Sequence, residues 1–207
     1  MGFEVESRAI LSKEQFDFLL KELSTCATFV EEKKRLSLCF TRIETLDARE
    51  LLNETIDLRV RITNNKAEIV LKQGTWSVRD QRREIAIQIE KSDFWSTVEL
   101  LCCLGWTKGV IAETETTVFA HKDLEFAVVK TGDNLYYVEA EKIVNVKEQI
   151  PKVQAQIEDA FANFSIQTAT ENEYHELLNK MNLKHGHFNF EKQSIEEFKI
   201  KFVKYFC

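Results

Sequence analysis

Charged residues alternate with apolar ones in the first segment of the chain, which reads FEVESRA at residues 3–9. Side chains two residues apart on a β-strand point to the same face, so Glu4, Glu6 and Arg8 would lie side by side. Two carboxylates and a guanidinium in a row can hold a divalent cation and a phosphate together. The segment therefore indicates a site for a metal ion and an anion.

The same alternation returns in DLRVRI at residues 57–62, in EIAIQIE at 84–90 and in VEAE at 138–141. Apolar residues occupy the other face of each segment. Such a pattern is typical of a sheet with one side against a hydrophobic layer and the other side lining a charged, wet cavity. A single charged strand face is usually just solvated. Here the acidic pairs and the basic pair stand on separate segments, which favours a shared cavity.

The composition of the 207 residues suits one domain with or without a small appendage, because the 44% of hydrophobic residues can fill a sizeable core. The formal net charge of -6 disfavours nucleic acid and anionic membranes as partners, so a bound anion must meet a local basic cluster. The longest apolar runs, such as residues 100–104, are far shorter than the about 20 residues that a membrane-spanning helix needs.

The five cysteines are an odd number and lack the paired spacing of a zinc site. We interpret them as reduced thiols, which predicts a cytoplasmic location. We also expect no secretion signal at the N-terminus, because its charged alternation is unlike a signal peptide.

The hydrophobic periodicity predicts an α+β fold. A strand at 2–10 is followed by a helix that begins at Ser12, where Gln15 completes a capping box, and a second helix is predicted from Ser92 to residue 104. Further strands are predicted at 35–42, 57–62, 66–73, 82–90, 110–120, 124–130 and 136–144. Nearly all are linked as hairpins, and a closed sheet of eight such strands has room inside for side chains and one small ligand. We therefore predict a closed eight-stranded antiparallel β-barrel with peripheral helices.

The character of the chain changes after Pro151, its one proline. Three amphipathic helices are predicted there, the later two capped by Thr170 with Glu173 and by Ser194 with Glu197. We therefore divide the chain into a barrel domain at 1–150 and a helical extension at 151–207. The apolar stripes of the extension would pack on the barrel or on a second copy of the chain. A homodimer is therefore one of the two alternatives.

The order of the charged segments resembles the CYTH family, which comprises class IV adenylate cyclases, thiamine triphosphatases and inorganic triphosphatases, also called triphosphate tunnel metalloenzymes. The resemblance covers about residues 2–144 and rests on five fragments in order: Glu4, Glu6 and Arg8; Arg59 and Arg61; Lys72; Arg82 and Glu84; and Glu139 and Glu141. It implies a tunnel that binds a small-molecule triphosphate through basic side chains and Mg²⁺ or Mn²⁺ through carboxylates. No histidine or cysteine nucleophile is needed, since phosphoryl transfer asks mainly for positioning and charge neutralisation.

The resemblance also assigns roles. The triphosphate-binding residues would be Arg8, Arg59, Arg61, Lys72 and Arg82, of which Arg8 and Lys72 would be catalytic. The metal ligands would be Glu4, Glu6, Glu84, Glu139 and Glu141. Forked guanidiniums match phosphate oxygens, and carboxylates suit a divalent ion that bridges them.

The sequence departs from the family at two positions. The first strand usually ends in Lys where Arg8 stands, and an arginine can hold phosphate but cannot carry a proton. The strand near residues 113–119 usually carries two basic residues, and here it carries Thr114 and Thr116. Three functions therefore stay open: metal-dependent hydrolysis of inorganic, thiamine or nucleoside triphosphate, formation of cyclic AMP from ATP, and binding of a triphosphate or polyphosphate without catalysis.

Overall fold

A computed structural model describes residues 3–42, 56–74, 83–184 and 186–207. In these ranges the strands are β1 Phe3–Leu11, β2 Thr28–Thr41, β3 Ile56–Thr63, β4 Lys66–Gln73, β5 Arg83–Ile89, β6 Lys108–His121, β7 Leu124–Thr131, β8 Tyr136–Val144 and β9 His187–Asn189. The α-helices are α1 Lys13–Cys26, α2 Phe94–Cys103, α3 Ile150–Asn163, α4 Glu171–Lys184 and α5 Ile195–Lys201. Arg82 lies outside the described residues, so its predicted role stays a prediction.

The strands form one antiparallel sheet in the order β1-β8-β7-β6-β2-β3-β4-β5, with the short β9 added to β6. The tight β3–β4 turn places Asn64 and Asn65 at φ 47 and φ 69, as adjacent asparagines permit. The sheet curls into a half-barrel with α1, α2, α3 and α5 on its outer side, so the predicted α+β fold is confirmed. Full closure is not shown, because no ladder joins β1 to β5 among the described strands.

Two hydrophobic layers cover the convex side of the sheet. One packs α1 and α3 on β1, β7 and β8, with Leu19, Ile157 and Phe161 fully buried. The capping box that the sequence predicts fixes the start of α1, since Ser12 accepts a hydrogen bond from the Gln15 backbone and the Gln15 side chain accepts one from the Ser12 backbone. Pro151 stands in the first turn of α3, where its missing N–H costs no hydrogen bond.

The second layer packs α2 and α5 against β2 and β3, and Phe94 and Phe198 belong to it. The predicted start of α2 at Ser92 is wrong, because a 3-10 turn at Lys91–Asp93 precedes the helix and Asp93 takes the N-cap position. None of the helices in the described ranges combines the length and the apolar composition needed to cross a bilayer.

The C-terminal segment joins the sheet where the backbones approach closely. β9 pairs with β6 beside Gly109, and a Cβ on that glycine would lie 2.0 Å from the Cys39 carbonyl oxygen and 2.7 Å from the Phe188 ring. Phe188, Phe198 and Phe202 are buried in the second layer, so this segment contributes to the core that supports β2 and β3.

Candidate active site

The alternation in β1 sorts its side chains between the two faces of the sheet. Val5 and Ala9 are fully buried in the convex core, and Ser7 accepts a hydrogen bond from the Gln154 amide of α3 at 2.5 Å. Glu4, Glu6 and Arg8 consequently point to the concave side, where they line a cavity. The same period of two directs the charged residues of β3 and β8 into this cavity, because their apolar neighbours fill the core.

The cavity has a volume of about 380 Å³ and is lined by charges of both signs. Its basic side chains among the described residues are Arg8, Lys33, Arg35, Arg59, Arg61 and Lys72, and its acidic ones are Glu4, Glu6, Asp57, Glu84, Glu125, Glu139 and Glu141. Every site residue that the sequence predicts, apart from Arg82, therefore lines one concave surface.

Three of the acids form a cluster. Glu4, Glu6 and Glu141 each place a carboxylate oxygen within 4.8 Å of the other two. Glu6 stands directly opposite Glu141 in the β1–β8 ladder, and like charges in such a pair are destabilising. Burial, reinforced by Glu4 and Glu6, raises the pKa of Glu141 to about 9. A cluster of oxygen donors with this excess of negative charge fits Mg²⁺ or Mn²⁺, which prefer carboxylates.

Arg8 connects this cluster to Glu139. Its Nε donates to Glu139 Oε1 at 2.8 Å and its Nη2 forms an ion pair with Glu6. Burial alone would raise the pKa of Glu139, but Arg8 outweighs it and holds that pKa below its usual value. The Arg8 guanidinium also lies over the Tyr174 ring of α4, 5.2 Å from its centroid. Arg8 is thus fixed between the acids and α4.

Lys72 reaches across the concave side from β4. Its Nζ lies 3.0 Å from Glu84 Oε2 and 3.6 Å from Glu4 Oε2 on β1. Burial would lower the pKa of Lys72, but Glu4, Glu84 and Glu6 outweigh burial and raise it above its usual value. Lys72 therefore stays protonated, as a phosphate-binding cation must.

The two arginines of β3 are held by different acids. Arg59 donates from Nε and Nη2 to the two oxygens of Asp57, at 2.7 and 2.6 Å. Arg61 donates to Glu68 at 2.7 Å and lies 3.4 Å from Glu84. Asp57, only 4% exposed, thus orients Arg59. Glu84, predicted as a metal ligand, is engaged by Lys72 and Arg61.

Several lining residues lie outside the predicted set. β2 contributes Lys33 and Arg35 to the cavity, and β8 contributes Tyr137. The predicted strand begins at residue 35, whereas β2 begins at Thr28. The polar stretch before Arg35 lacks an apolar face of its own, so local pattern could not extend the strand.

Helix α4 supplies an apolar wall on one side of the cavity. Tyr174, Leu177, Leu178 and Met181 of this helix line it, and Tyr174 is 4% exposed. The helix is capped as the sequence predicts, because Thr170 Oγ1 accepts from the Glu173 backbone and Glu173 Oε2 accepts from the Thr170 backbone. The sequence resemblance ends before this helix, so it could not have assigned these residues to the site.

No family model and no curated protein matches the sequence, whereas solved structures do. The PH1819 protein of Pyrococcus horikoshii OT3 superposes with a TM-score of 0.66 at 19% identity, over 86% of this chain and 98% of that chain. A candidate adenylate cyclase of Vibrio parahaemolyticus gives a TM-score of 0.60 at 11% identity, over 84% and 98%. A candidate adenylyl cyclase of Hippeastrum, HpAC1, which has a dominant triphosphatase activity, gives 0.57 at 15% identity, over 90% and 100%.

These neighbours match this chain over nearly their whole length. The chain therefore has the fold of these proteins, which is what the resemblance to the CYTH family predicts. The resemblance that the five charged fragments indicate is confirmed, and the curled sheet explains why those fragments can lie far apart in sequence and still face one cavity. Identities of 11% to 19% establish the fold, and activity has to be argued from the residues of the site.

Proposed function

We propose that this CYTH-fold protein is a divalent-metal-dependent triphosphatase that acts in the concave cavity. The observation that carries the proposal is the Glu4, Glu6 and Glu141 cluster beside the cations of the same cavity. Carboxylates gathered at this density attract a cation, and a triphosphate with its metal would supply both positive charge for the acids and negative charge for the arginines.

The acidic and the basic residues of the cavity would have different roles. Glu4, Glu6 and Glu141 would hold Mg²⁺ or Mn²⁺, which when bound neutralises developing charge on phosphate oxygens. Arg59 and Arg61 present guanidiniums to the phosphate chain, and Asp57 keeps Arg59 in place. Arg8 and Lys72 stand between the acids and the anion, stay protonated and stabilise charge in the transition state.

Hydrolysis is favoured over cyclisation by one comparison. HpAC1, although a candidate adenylyl cyclase, has a dominant triphosphatase activity. We therefore place water rather than a ribose hydroxyl as the attacking group and propose inorganic, thiamine or nucleoside triphosphate as the substrate. The cytoplasmic location and a homodimer stay predictions.

The test is phosphate release by the purified protein from inorganic triphosphate, thiamine triphosphate and ATP, each with Mg²⁺ or Mn²⁺. We expect release from at least one substrate, and its loss on addition of EDTA. Glu6→Gln should abolish the activity, and Glu22→Gln on α1, away from the cavity lining, should leave it unchanged. Chromatography of the ATP products separates the alternatives. Cyclic AMP with pyrophosphate would identify a cyclase, and calorimetric binding without turnover would identify a binding module. Either of these outcomes, or the absence of both phosphate release and triphosphate binding, would contradict the proposed hydrolysis.

A further inference from the structure

Two cations of the cavity come from β2. Lys33 and Arg35 lie on the concave face of this strand, whereas Leu36 and Leu38 are buried on the convex face. Neither cation belongs to the fragments by which the sequence resembles a known family. Both line the same cavity as the arginines of β3.

The neighbouring strand explains why there is space for them. β6 pairs with β2 so that Thr116 faces Lys33 and Thr114 faces Arg35. Both threonines line the cavity, as do Val110 and Ala112 before them, so the concave face of β6 carries no charge at these four positions. Short side chains on β6 thus leave the volume above them to the long side chains of β2.

Arg35 is half-buried and is held by a hydroxyl group. Its Nε donates to Thr63 Oγ1 at 2.8 Å, and no carboxylate of the described ranges forms an ion pair with it. Burial, together with the charges of Arg61 and Arg59, outweighs the charge of Glu139 and lowers the pKa of Arg35, whereas Arg59 and Arg61 each have a carboxylate at hydrogen-bond distance. A third guanidinium gathered beside two others is a costly arrangement unless an anion joins them.

Lys33 is held only loosely. Its Nζ lies 3.4 Å from Glu31 Oε1 and 3.9 Å from Glu125 Oε1, and its side chain is 23% exposed. Both distances exceed those of a charge-assisted hydrogen bond. The ammonium can therefore turn toward an anion without breaking a strong contact.

We propose that Lys33 and Arg35 bind phosphate oxygens of the substrate and supply from β2 the positive charge that β6 does not provide. The inference rests on the proposed function, since it concerns the same cavity. It predicts that the site recognises the charge of a whole phosphate chain, with the guanidinium of Arg35 working together with those of Arg59 and Arg61.

The test compares Arg35→Gln and Lys33→Gln with Lys34→Gln, a matched control because Lys34 is exposed and lies on the other face of β2. The readout is the KM for inorganic triphosphate with Mg²⁺, or the calorimetric Kd where the protein binds without turnover. We expect Arg35→Gln to raise this constant about tenfold to a hundredfold, as loss of a charged hydrogen bond does. For Lys33→Gln we expect about threefold to tenfold, and no change for Lys34→Gln.

A charge swap separates a phosphate contact from a structural role. Because Arg35 and Thr114 face each other in the ladder, Arg35→Thr combined with Thr114→Arg returns a guanidinium to the same part of the cavity. We expect the double variant to recover most of the affinity that Arg35→Thr loses. Thermal melting identifies any variant that does not fold, and Lys33→Gln then carries the test because Lys33 makes only long ion-pair contacts.

The outcomes distinguish the two proposals. If the parent protein neither binds nor hydrolyses a triphosphate, the proposed function and this inference fall together. If the parent protein binds triphosphate and the folded Arg35→Gln and Lys33→Gln variants bind it as tightly as Lys34→Gln, only the inference is overturned. Recovery by the swap would support the inference independently of which triphosphate is the natural substrate.

Discussion

Replacement of Glu141 by glutamine should stabilise the metal-free protein. In the folded state burial and the nearby Glu4 and Glu6 raise the pKa of Glu141 to about 9, against an ordinary value of 4.5. Between these two pH values the unfolded chain is ionised at this position while the folded chain keeps the proton. Stability is therefore lost as pH rises through the window, by about 1.4 kcal/mol per pH unit.

At pH 7 the free energy of unfolding is expected to be lower by about 3 kcal/mol, because pH 7 lies about 2.5 units above the ordinary pKa of 4.5. Glutamine resembles the protonated acid in shape, can still donate a hydrogen bond to Glu4, and does not titrate. Glu141→Gln should thus be more stable than the parent protein by about 3 kcal/mol at pH 7, with no difference near pH 4.

The assay is urea denaturation in EDTA at pH 4, 5, 6, 7 and 8, followed by circular dichroism. Addition of Mn²⁺ is the second arm. The parent protein should gain stability through its three carboxylates, and the variant should gain less because one ligand has lost its charge. Glu68→Gln, which removes an acid paired with Arg61 outside the cluster, is the control and should not be stabilising. Equal or lower stability of Glu141→Gln at every pH would refute the reasoning.

Three other changes test how the site is held. Asp57→Asn leaves Arg59 with a weaker acceptor, so we expect the KM for triphosphate to rise about tenfold with a smaller change in kcat; an unchanged KM would contradict the positioning role. Lys72→Gln should lower kcat/KM about a hundredfold, whereas Lys72→Arg should restore part of it because the charge is kept. Gly109→Ala forces a Cβ against the Cys39 backbone of β2, and a loss of about 3 kcal/mol in urea denaturation is expected; a variant as stable as the parent would show that the close approach of β2 to β6 is not needed.

The period of two could be read directly from the sequence because it is a local property. Once β1 and β8 are strands, the burial of Val5 and Val138 decides that Glu6 and Glu139 face the other side. Local turn chemistry was equally readable, since adjacent asparagines adopt the left-handed conformation that the β3–β4 hairpin needs. The charged face and the curled antiparallel sheet were therefore predictable.

Which acid of the cavity pairs with which cation could not be predicted from the sequence in this way. Five glutamates were assigned to the metal, yet the structure gathers Glu4, Glu6 and Glu141, while Glu139 pairs with Arg8 and Glu84 with Lys72. The resemblance gives all five the same status. Which carboxylate meets a cation depends on the register between strands and on side-chain length, and both are fixed by packing across the sheet.

The sequence by itself thus determined that the charged residues of β1, β3 and β8 share the concave face, because alternation along a strand needs only neighbours two positions apart. Only the tertiary structure decided that β2 extends back to Thr28, that Lys33 and Arg35 occupy the space above the threonines of β6, and that α4 walls the cavity. These features depend on contacts between segments distant in the chain. β2 acquires its first half by pairing with β6, and no local pattern in a polar stretch encodes that partner.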